Sequence, residues 1–518
     1  MQTKSEIYTN RNFNAGLKQM KRISKTKLNI ATSVLLQVVS GVCGLILPRF
    51  ILRSFGSEVN GLVASIGQLL GYTVLLEGGI GGVMRAALYK PLANGDEAGI
   101  SGIFYQIRRI FGKISVVFIG FAILLSISMK FLVDTQHSWL YVFVLVLILS
   151  TQTLFSYYVS MPQRILLTAD QKQYIIQFTQ IVTIVLNLLL CLLVMHLGGG
   201  IHLVKLTSVS VFLLNPLVQW LYVKRHYRLS ADSASNAAAP IQKRDGAIHH
   251  LSYFIHRNTD VVILSLFGNL YAVSVYAVYH TVTNVLEQML TSISSGLSGL
   301  VGRLIARKEI AELNRIIDRY EACNNALATA VATVCAILIL PFVAIYTGGV
   351  TDVQYHQPVF AMLLIAGSYA YSIRHPFGCV VSAAGHYKET NAGAIGEVAI
   401  NLGLSLALVK PLGLVGVALG TFAAMSFRTI YTVWYLSKHI LHRPVWSFLL
   451  KLVCNLLTSG ILIAWIPAWV DIAASDILGL LVSAVKVSVI VFPVFLAVNA
   501  LLSIRILKEE MQKKNIRG

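Results

Sequence analysis

Charge is scarce in this chain. Asp, Glu, Lys and Arg make up 12% of its 518 residues, about half of the roughly 25% usual in a soluble domain. The scarcity is organised: residues 135–163, 173–204, 322–351 and 452–470 contain none of the four. A nucleotide-driven engine is missing too, because no GxxxxGK[ST] cradle for phosphates occurs. HExxH and GxSxG are also absent. Long loops are lacking: the segments between apolar runs are too short for a soluble catalytic domain, or for the sizeable external loop expected of a glycan polymerase. Cysteine is sparse, and none of Cys43, Cys191, Cys323, Cys335, Cys379 and Cys454 stands in CxxC spacing. Small buried hydrophobes are therefore expected there, rather than disulfides or metal ligands.

What is present is apolar. Hydrophobic residues reach 56% and the mean hydropathy is +0.70. A spanning helix needs about 20 apolar residues, and each uncharged run is long enough. The expected fold class is an all-α polytopic membrane protein of about 14 spans. The net charge of +20 does not indicate nucleic acid, because it is divided among short pieces between the spans. With the N-terminus placed inside, alternate segments hold 36 of the 42 Lys and Arg. The exceptions are Arg49, Arg53, Lys130, Lys205, Lys410 and Lys486. That asymmetry puts both termini in the cytoplasm by the positive-inside rule. The first span, about 28–52, has no small-residue cleavage pattern after it and reads as retained.

The chain is built twice. "YYVSMPQRILLTA" (157–169) lies on "YSIRHPFGCVVSA" (371–383) at an offset of 214. At the same offset Asn187 meets Asn401, Gly199 meets Gly413, Thr207 meets Thr421 and Trp220 meets Trp434. Earlier the offset slips to 212, where "FGS" (55–57) meets "FGN" (267–269), and to 210, where "TVLLE" (73–77) meets "TNVLE" (283–287). Six spans per copy, an even number, make the repeats parallel, with a substrate path between them. The expected organisation is a basic tail (1–27), a first lobe of spans 1–6 (28–223), an Ala/Ser-rich linker (224–250), a second lobe of spans 7–12 (251–440), spans 13–14 (441–504) and a second basic tail (505–518).

A few ionisable residues stay within or beside the spans: Arg49 and Arg53 in span 1, Glu77 in span 2, Arg257 and Asp260 in span 7, Glu287 in span 8, Arg374 in span 10, Glu397 in span 11 and Arg428 in span 12. Arginines near span ends can snorkel to the headgroups, and Arg257 with Asp260 can be a packing pair at i, i+3. As a set they suit a wet cavity, since ionisable groups at depth almost always face the bundle interior. After Glu77, "GGIGG" (78–82) is a poor helix. It serves either close helix approach, with Gly78 and Gly82 at small-xxx-small spacing, or a bend. Span 8 carries a sparser analogue in Gly296, Gly299 and Gly302.

"LPRFILRSFGSEVNGLVASIGQLLGY", "LLEGGIGGVMRAALYKPL" and "INLGLSLALVKPLGLVGVALGT" resemble the polysaccharide repeat-unit flippases of the multidrug/oligosaccharidyl-lipid/polysaccharide exporter (MOP) superfamily. The resemblance covers about residues 25–439. It implies two six-helix lobes around a central cavity, and alternating access. The implied substrate is an undecaprenyl-pyrophosphate-linked oligosaccharide carried between leaflets of a bacterial cytoplasmic membrane. It implies a carrier that is not an enzyme and that takes no cofactor beyond H⁺ or Na⁺ as coupling ion. The implied partners are membrane lipids and the polymerase and glycosyltransferase machinery. The pyrophosphate candidates are Arg49, Arg53 and Arg257, with Arg374 and Arg428 as further cations. Arginine suits that anion by its fixed fork of donors. Glu77, Asp260, Glu287 and Glu397 are the candidates for neutralising the arginines or binding the coupling ion. Sugar recognition falls to scattered residues such as Gln68, Tyr72, Tyr157, Tyr276, Tyr279, His280, Tyr369 and Tyr371. A cation-coupled drug exporter of the same fold and a lipid II flippase are the alternatives.

Overall fold

The computed structural model describes residues 4–77, 80–230, 258–470, 472 and 476–517. Among these the regular structure is all helical. It begins with α1 (Lys4–Gly71), α2 (Val74–Glu77), α3 (Ile80–Asn94), α4 (Glu97–Leu132), α5 (Trp139–Phe155), α6 (Met161–Ala169), α7 (Gln173–His196), α8 (Ile201–Phe212) and α9 (Leu214–His226). After the linker, most of which lies outside the described residues, come α10 (Asn258–Phe267), α11 (Leu270–Ala306), α12 (Ile310–Tyr346), α13 (Pro358–Ile373), α14 (His375–Ala384), α15 (Tyr387–Leu412), α16 (Leu414–His439), α17 (Trp446–Trp469) and α18 (Ile477–Arg517). Among the described residues, ten helical stretches are long and apolar enough to cross a membrane, and α10 and α13 are shorter apolar helices.

The first stretch, Lys27–Glu77, has 51 residues, more than twice what one crossing needs. Gly56 divides it, with φ 81° and ψ 174°, a conformation that side-chain-bearing residues avoid. The helix restarts at Ser57, whose backbone N–H and hydroxyl donate to the Asp352 carboxylate at 2.7 and 2.6 Å. In the second copy, Asn269 stands where Ser57 stands in the first. It starts α11 by accepting the Ala272 N–H at 2.7 Å. The matched FGS and FGN tripeptides are thus helix starts, one capped from afar and one by its own side chain. The other duplicated motif is likewise a helix break. Pro162 and Pro376 both stand in the first turn of a new helix, α6 and α14, where the missing N–H does no harm. In the first copy a π-helical turn, Ser156–Ser160, precedes the break.

By internal contacts the chain forms two compact units. One comprises Met1–Ser54 and Leu70–Lys243, the other Phe55–Leu69 and Arg244–Gly518. The segment Phe55–Leu69 belongs by sequence to the first repeat but clusters with the second unit. There Asn60 donates to Ser274 at 2.8 Å and Ser265 donates to Ser65 at 2.6 Å. Gly61 lies so close to the start of α11 that an added Cβ would stand 1.9 Å from the Leu270 carbonyl oxygen.

Each unit has its own apolar core. In the first, Met84 and Leu88 of α3 meet Ile107 and Phe111 of α4 and Leu166 and Leu167 of α6. In the second, Val487, Val491 and Phe495 of α18 pack with Ile466 of α17 and Ala330 of α12, so α17 and α18 rest on α12. Asn455 and Asn499 bind each other through their amides at 2.9 and 3.2 Å and tie α17 to α18. The periphery is apolar: Phe131 is 81% exposed and Leu197 75%. Meanwhile Ser, Thr and Asn side chains are buried throughout. Large exposed apolar side chains around a polar interior are what a lipid solvent calls for.

Two expectations are corrected. A Cβ added at Gly82 would meet no atom within 4 Å, so this glycine makes no close helix approach, and Gly78 lies outside the described residues. In span 8, Gly302 is likewise open, while the side-chain surroundings of Gly296 and Gly299 lie outside the description. Cys191 and Cys379 are buried, but Cys323 is exposed and is not a core hydrophobe.

Candidate functional site

In the second unit, Asp260 of α10 is 2% exposed. Thr421 of α16 donates its hydroxyl to both carboxylate oxygens, at 2.8 and 2.7 Å, and Tyr276 of α11 donates at 3.1 Å. Asn401 of α15 donates its amide to the Thr421 oxygen at 2.9 Å. Its own carbonyl oxygen Oδ1 is buried without a hydrogen-bond partner. Among the described residues no cation pairs with Asp260. The group borders a cavity of about 20 Å³ that also meets His280, Glu287 and Ser368. A water needs roughly 10–15 Å³ measured this way, so one small occupant fits. Carboxylate, hydroxyl and amide oxygens around such a space suit a hard cation or a proton. Asn401 and Thr421 have repeat counterparts in Asn187 and Thr207, but Asp260, carried back by the 212 offset, falls on Pro48. The first half therefore lacks the carboxylate, and this site has no twin.

Glu287 shares that cavity and accepts the Ser368 hydroxyl at 3.2 Å. Its counterpart Glu77 stands within electrostatic range of Tyr157 and Arg164. Glu287 thus bonds to the helix that runs into the Pro376 break, and Glu77 lies in electrostatic range of the one that runs into Pro162.

A third group joins three of the expected residues. Glu397, 4% exposed, lies between Arg374 and Arg428, whose Nη1 and Nε stand 3.6 and 3.5 Å from the same oxygen, Oε2. Arg428 also donates to the Thr390 carbonyl at 3.0 Å, and Arg374 lies 5.1 Å from the Tyr371 ring centre. Arg374 Nη1 is buried without a hydrogen bond. The three charges sum to +1, an arrangement able to receive an anion. Arg49 is half-buried in α1 and Arg53 is exposed. Arg257 lies outside the described residues, so its expected pairing with Asp260 does too.

Several charges assigned to connecting segments by sequence prove internal. Glu321, with no exposed surface, takes Arg443 and Lys451 together, Lys451 at 3.2 Å, and Arg443 also reaches Asp318. Arg164, counted with the loop after span 4, reaches a polar cavity in the first unit.

No protein-family model matches the chain, and no curated protein matches it in sequence. Among solved structures, the inward closed conformation of the lipid II flippase MurJ is similar over 90% of this chain and 98% of that one, with a TM-score of 0.64 and 14% identity. An inward-facing multidrug resistance MATE family transporter of the MOP superfamily gives 0.60 at 12% identity, over 77% of this chain and 95% of that one. The MATE multidrug transporter DinF-BH gives 0.58 at 17% identity, over 80% and 95%. The chain has the fold of MOP transporters and flippases, and is a multi-pass membrane protein.

Proposed function

We propose that this chain is a flippase for undecaprenyl-pyrophosphate-linked oligosaccharide repeat units. It would work in a bacterial cytoplasmic membrane, with both termini cytoplasmic, by alternating access. The observation that carries the reading is the buried Arg374–Glu397–Arg428 group, in which two guanidinium groups share one carboxylate on a fold that a lipid II flippase also has. A surplus of buried arginine suits an anionic head and opposes an organic cation. A diphosphate is strongly hydrated and does not enter hydrocarbon unaided. Arginine supplies donors to replace its water, while the polyprenyl tail stays in the bilayer. Glu397 offsets one of the two arginine charges until the head arrives. The Asp260–Thr421–Asn401 oxygens are the place for the coupling H⁺ or Na⁺. Arg49, Arg53 and Arg257 remain candidates for the same anion along its path. Polymerase and glycosyltransferase machinery would supply and consume the cargo.

The second reading, a cation-coupled exporter, draws on the acidic pair Asp260 and Glu287 at one cavity. The two separate in liposomes. Purified protein is reconstituted with fluorescent undecaprenyl-pyrophosphate oligosaccharide in both leaflets, and an external quencher reports accessibility under pH or Na⁺ gradients. A protein-dependent rise in accessibility that R374Q slows by about tenfold or more supports flipping. No change from folded protein under either gradient removes the flippase reading in favour of the exporter.

A further inference from the structure

The first unit holds a cavity of about 340 Å³, within the roughly 300–1,000 Å³ of small-molecule sites. Its walls come from α1, α5, α7, α8 and α9 and from the π-helical turn with the start of α6. The lining is unlike a membrane core. Arg164, Gln152, Gln180, Gln219, Asn215 and Ser156 all face it.

The sequence of one wall explains how this comes about. Gln152, Ser156, Ser160 and Arg164 recur every four residues. In an α-helix of 3.6 residues per turn, such a stripe drifts by about 40° per step. The π-helical turn at Ser156–Ser160 widens the winding to i→i+5 and holds the stripe in line. Single π turns recur at functional positions. Pro162 then ends the stretch without needing a donor at its nitrogen.

The polar groups are not consumed by the protein. The side chains of Gln152, Gln180 and Ser156 make no hydrogen bond with any described residue. Arg164 makes neither a hydrogen bond nor an ion pair among them, and its one electrostatic neighbour is Glu77. Gln219 and Asn215 are held in place, by Ser160 at 2.7 Å and by Thr183 at 3.1 Å. A half-buried arginine with free donors, among amides and hydroxyls that donate and accept, suits a ligand rich in hydroxyls and carrying negative charge.

We infer that this cavity takes an acidic sugar of the transported glycan, Arg164 pairing with its carboxylate and the amide and hydroxyl side chains with its hydroxyls. The inference deepens the flippase reading and rests on it. The charge count favours a sugar carboxylate over the carrier's diphosphate. Arg164 is the single charged side chain of the lining, and Glu77, which does not line the cavity, offsets Arg164 in part and opposes a second negative charge. The neutral polar side chains outnumber the single cation, as a polyol requires and a diphosphate does not.

The test is calorimetric titration of the purified full-length chain in detergent with three probes. Two are free oligosaccharides identical except that one sugar is glucuronate in the first and glucose in the second. The third is inorganic pyrophosphate. The acidic twin is expected to bind about tenfold or more tightly than the neutral one, from one charge-assisted contact. R164Q should erase that difference and R164K should keep most of it. Q180L should weaken both twins alike, which a purely structural cavity would not do. Equal affinity of the wild type for the twins overturns the inference, as does failure of both to bind monodisperse protein. Pyrophosphate binding tighter than the acidic twin and lost in R164Q also overturns it, by assigning Arg164 to the carrier. Binding is read without transport, so a chain that binds the acidic twin but flips nothing in liposomes defeats the flippase reading and leaves the site.

Discussion

The Thr421 hydroxyl lies 2.8 and 2.7 Å from the two carboxylate oxygens of Asp260, joining α16 to α10 inside the second unit. A carboxylate so buried needs either donors or a cation. Here the donors come from Thr421 and Tyr276, while the Asn401 oxygen beside them is left over. Asp260→Asn should therefore abolish the response of transport to whichever gradient, H⁺ or Na⁺, drives the wild type, while gradient-free equilibration persists. Thr421→Val should keep the charge but remove a donor worth about 1.5–3 kcal/mol. That shows as a lower apparent melting temperature and weaker ion affinity. A D260N protein that still follows the gradient removes Asp260 from coupling.

Arg374 and Arg428 share Glu397 but are not equivalent. Arg428 also satisfies the Thr390 carbonyl, whereas Arg374 keeps a buried Nη1 without a hydrogen bond. Arg374→Gln should leave a balanced Arg428–Glu397 pair and a folded protein, while flipping slows by about tenfold or more, the worth of one charge-assisted contact. Arg428→Gln should be the more destabilising, by about 1.5–3 kcal/mol, since it also removes the charge-assisted bond to the Thr390 carbonyl. Thermal stability by fluorescence-detected gel filtration, set beside liposome flipping rates, separates the two. Equal loss of stability in both variants would refute the assignment of Arg374 as surplus charge.

How far the sequence reached depended on the range of each interaction. The spans were legible because hydropathy is a local property, whereas the FGS and FGN match reads in the sequence only as a sign of the repeat and not as a pair of helix starts. The Pro162 and Pro376 match likewise reads only as a sign of the repeat, though proline acts on its own turn and marks the helix break there. Asp260, Glu397, Arg374 and Arg428 were found as charges in apolar runs, but their grouping was not, since their partners arrive from other helices. Asp352 meets Ser57 across 295 positions. Arg443 and Lys451 meet Glu321 across 122 and 130. No local pattern marks such pairs. Arg164 was hidden by counting it as an orientation charge at a span end. The four-residue recurrence of Gln152, Ser156, Ser160 and Arg164 was a readable signal, but the π-helical turn that aligns it was not.

Glu321 anchors α17 to α12. It is fully buried between Arg443 and Lys451, so removing its charge leaves two cations without their counterion. Loss of one partner of a buried ion pair costs about 3–5 kcal/mol, and Glu321→Gln should fall in that range. The double replacement Glu321→Met with Lys451→Met should recover part of the loss, because apolar substitutes of similar volume often stand in for buried pairs. Apparent melting temperatures of the single and double variants decide this. A single variant as stable as the wild type would mean that water already reaches the group.

The glycines offer a contrast of sign. Gly61 packs against the backbone of Leu270, where an added Cβ would stand 1.9 Å from the carbonyl oxygen. Backbone cannot swing aside as a side chain can, so Gly61→Ala must push α1 from the start of α11. That also strains the neighbouring Asn60–Ser274 bond of 2.8 Å. Gly82 sits within α3 with open space around it, so Gly82→Ala only removes unfolded-chain freedom. It should stabilise by about 0.5–1 kcal/mol. Gly61→Ala should destabilise clearly, by more than that gain. Melting curves of the two purified variants check both signs at once. If the glycines after Glu77 instead provide bending that transport needs, Gly82→Ala will be more stable yet slower in flipping. An unchanged flipping rate would mean that residue 82 needs no glycine at all.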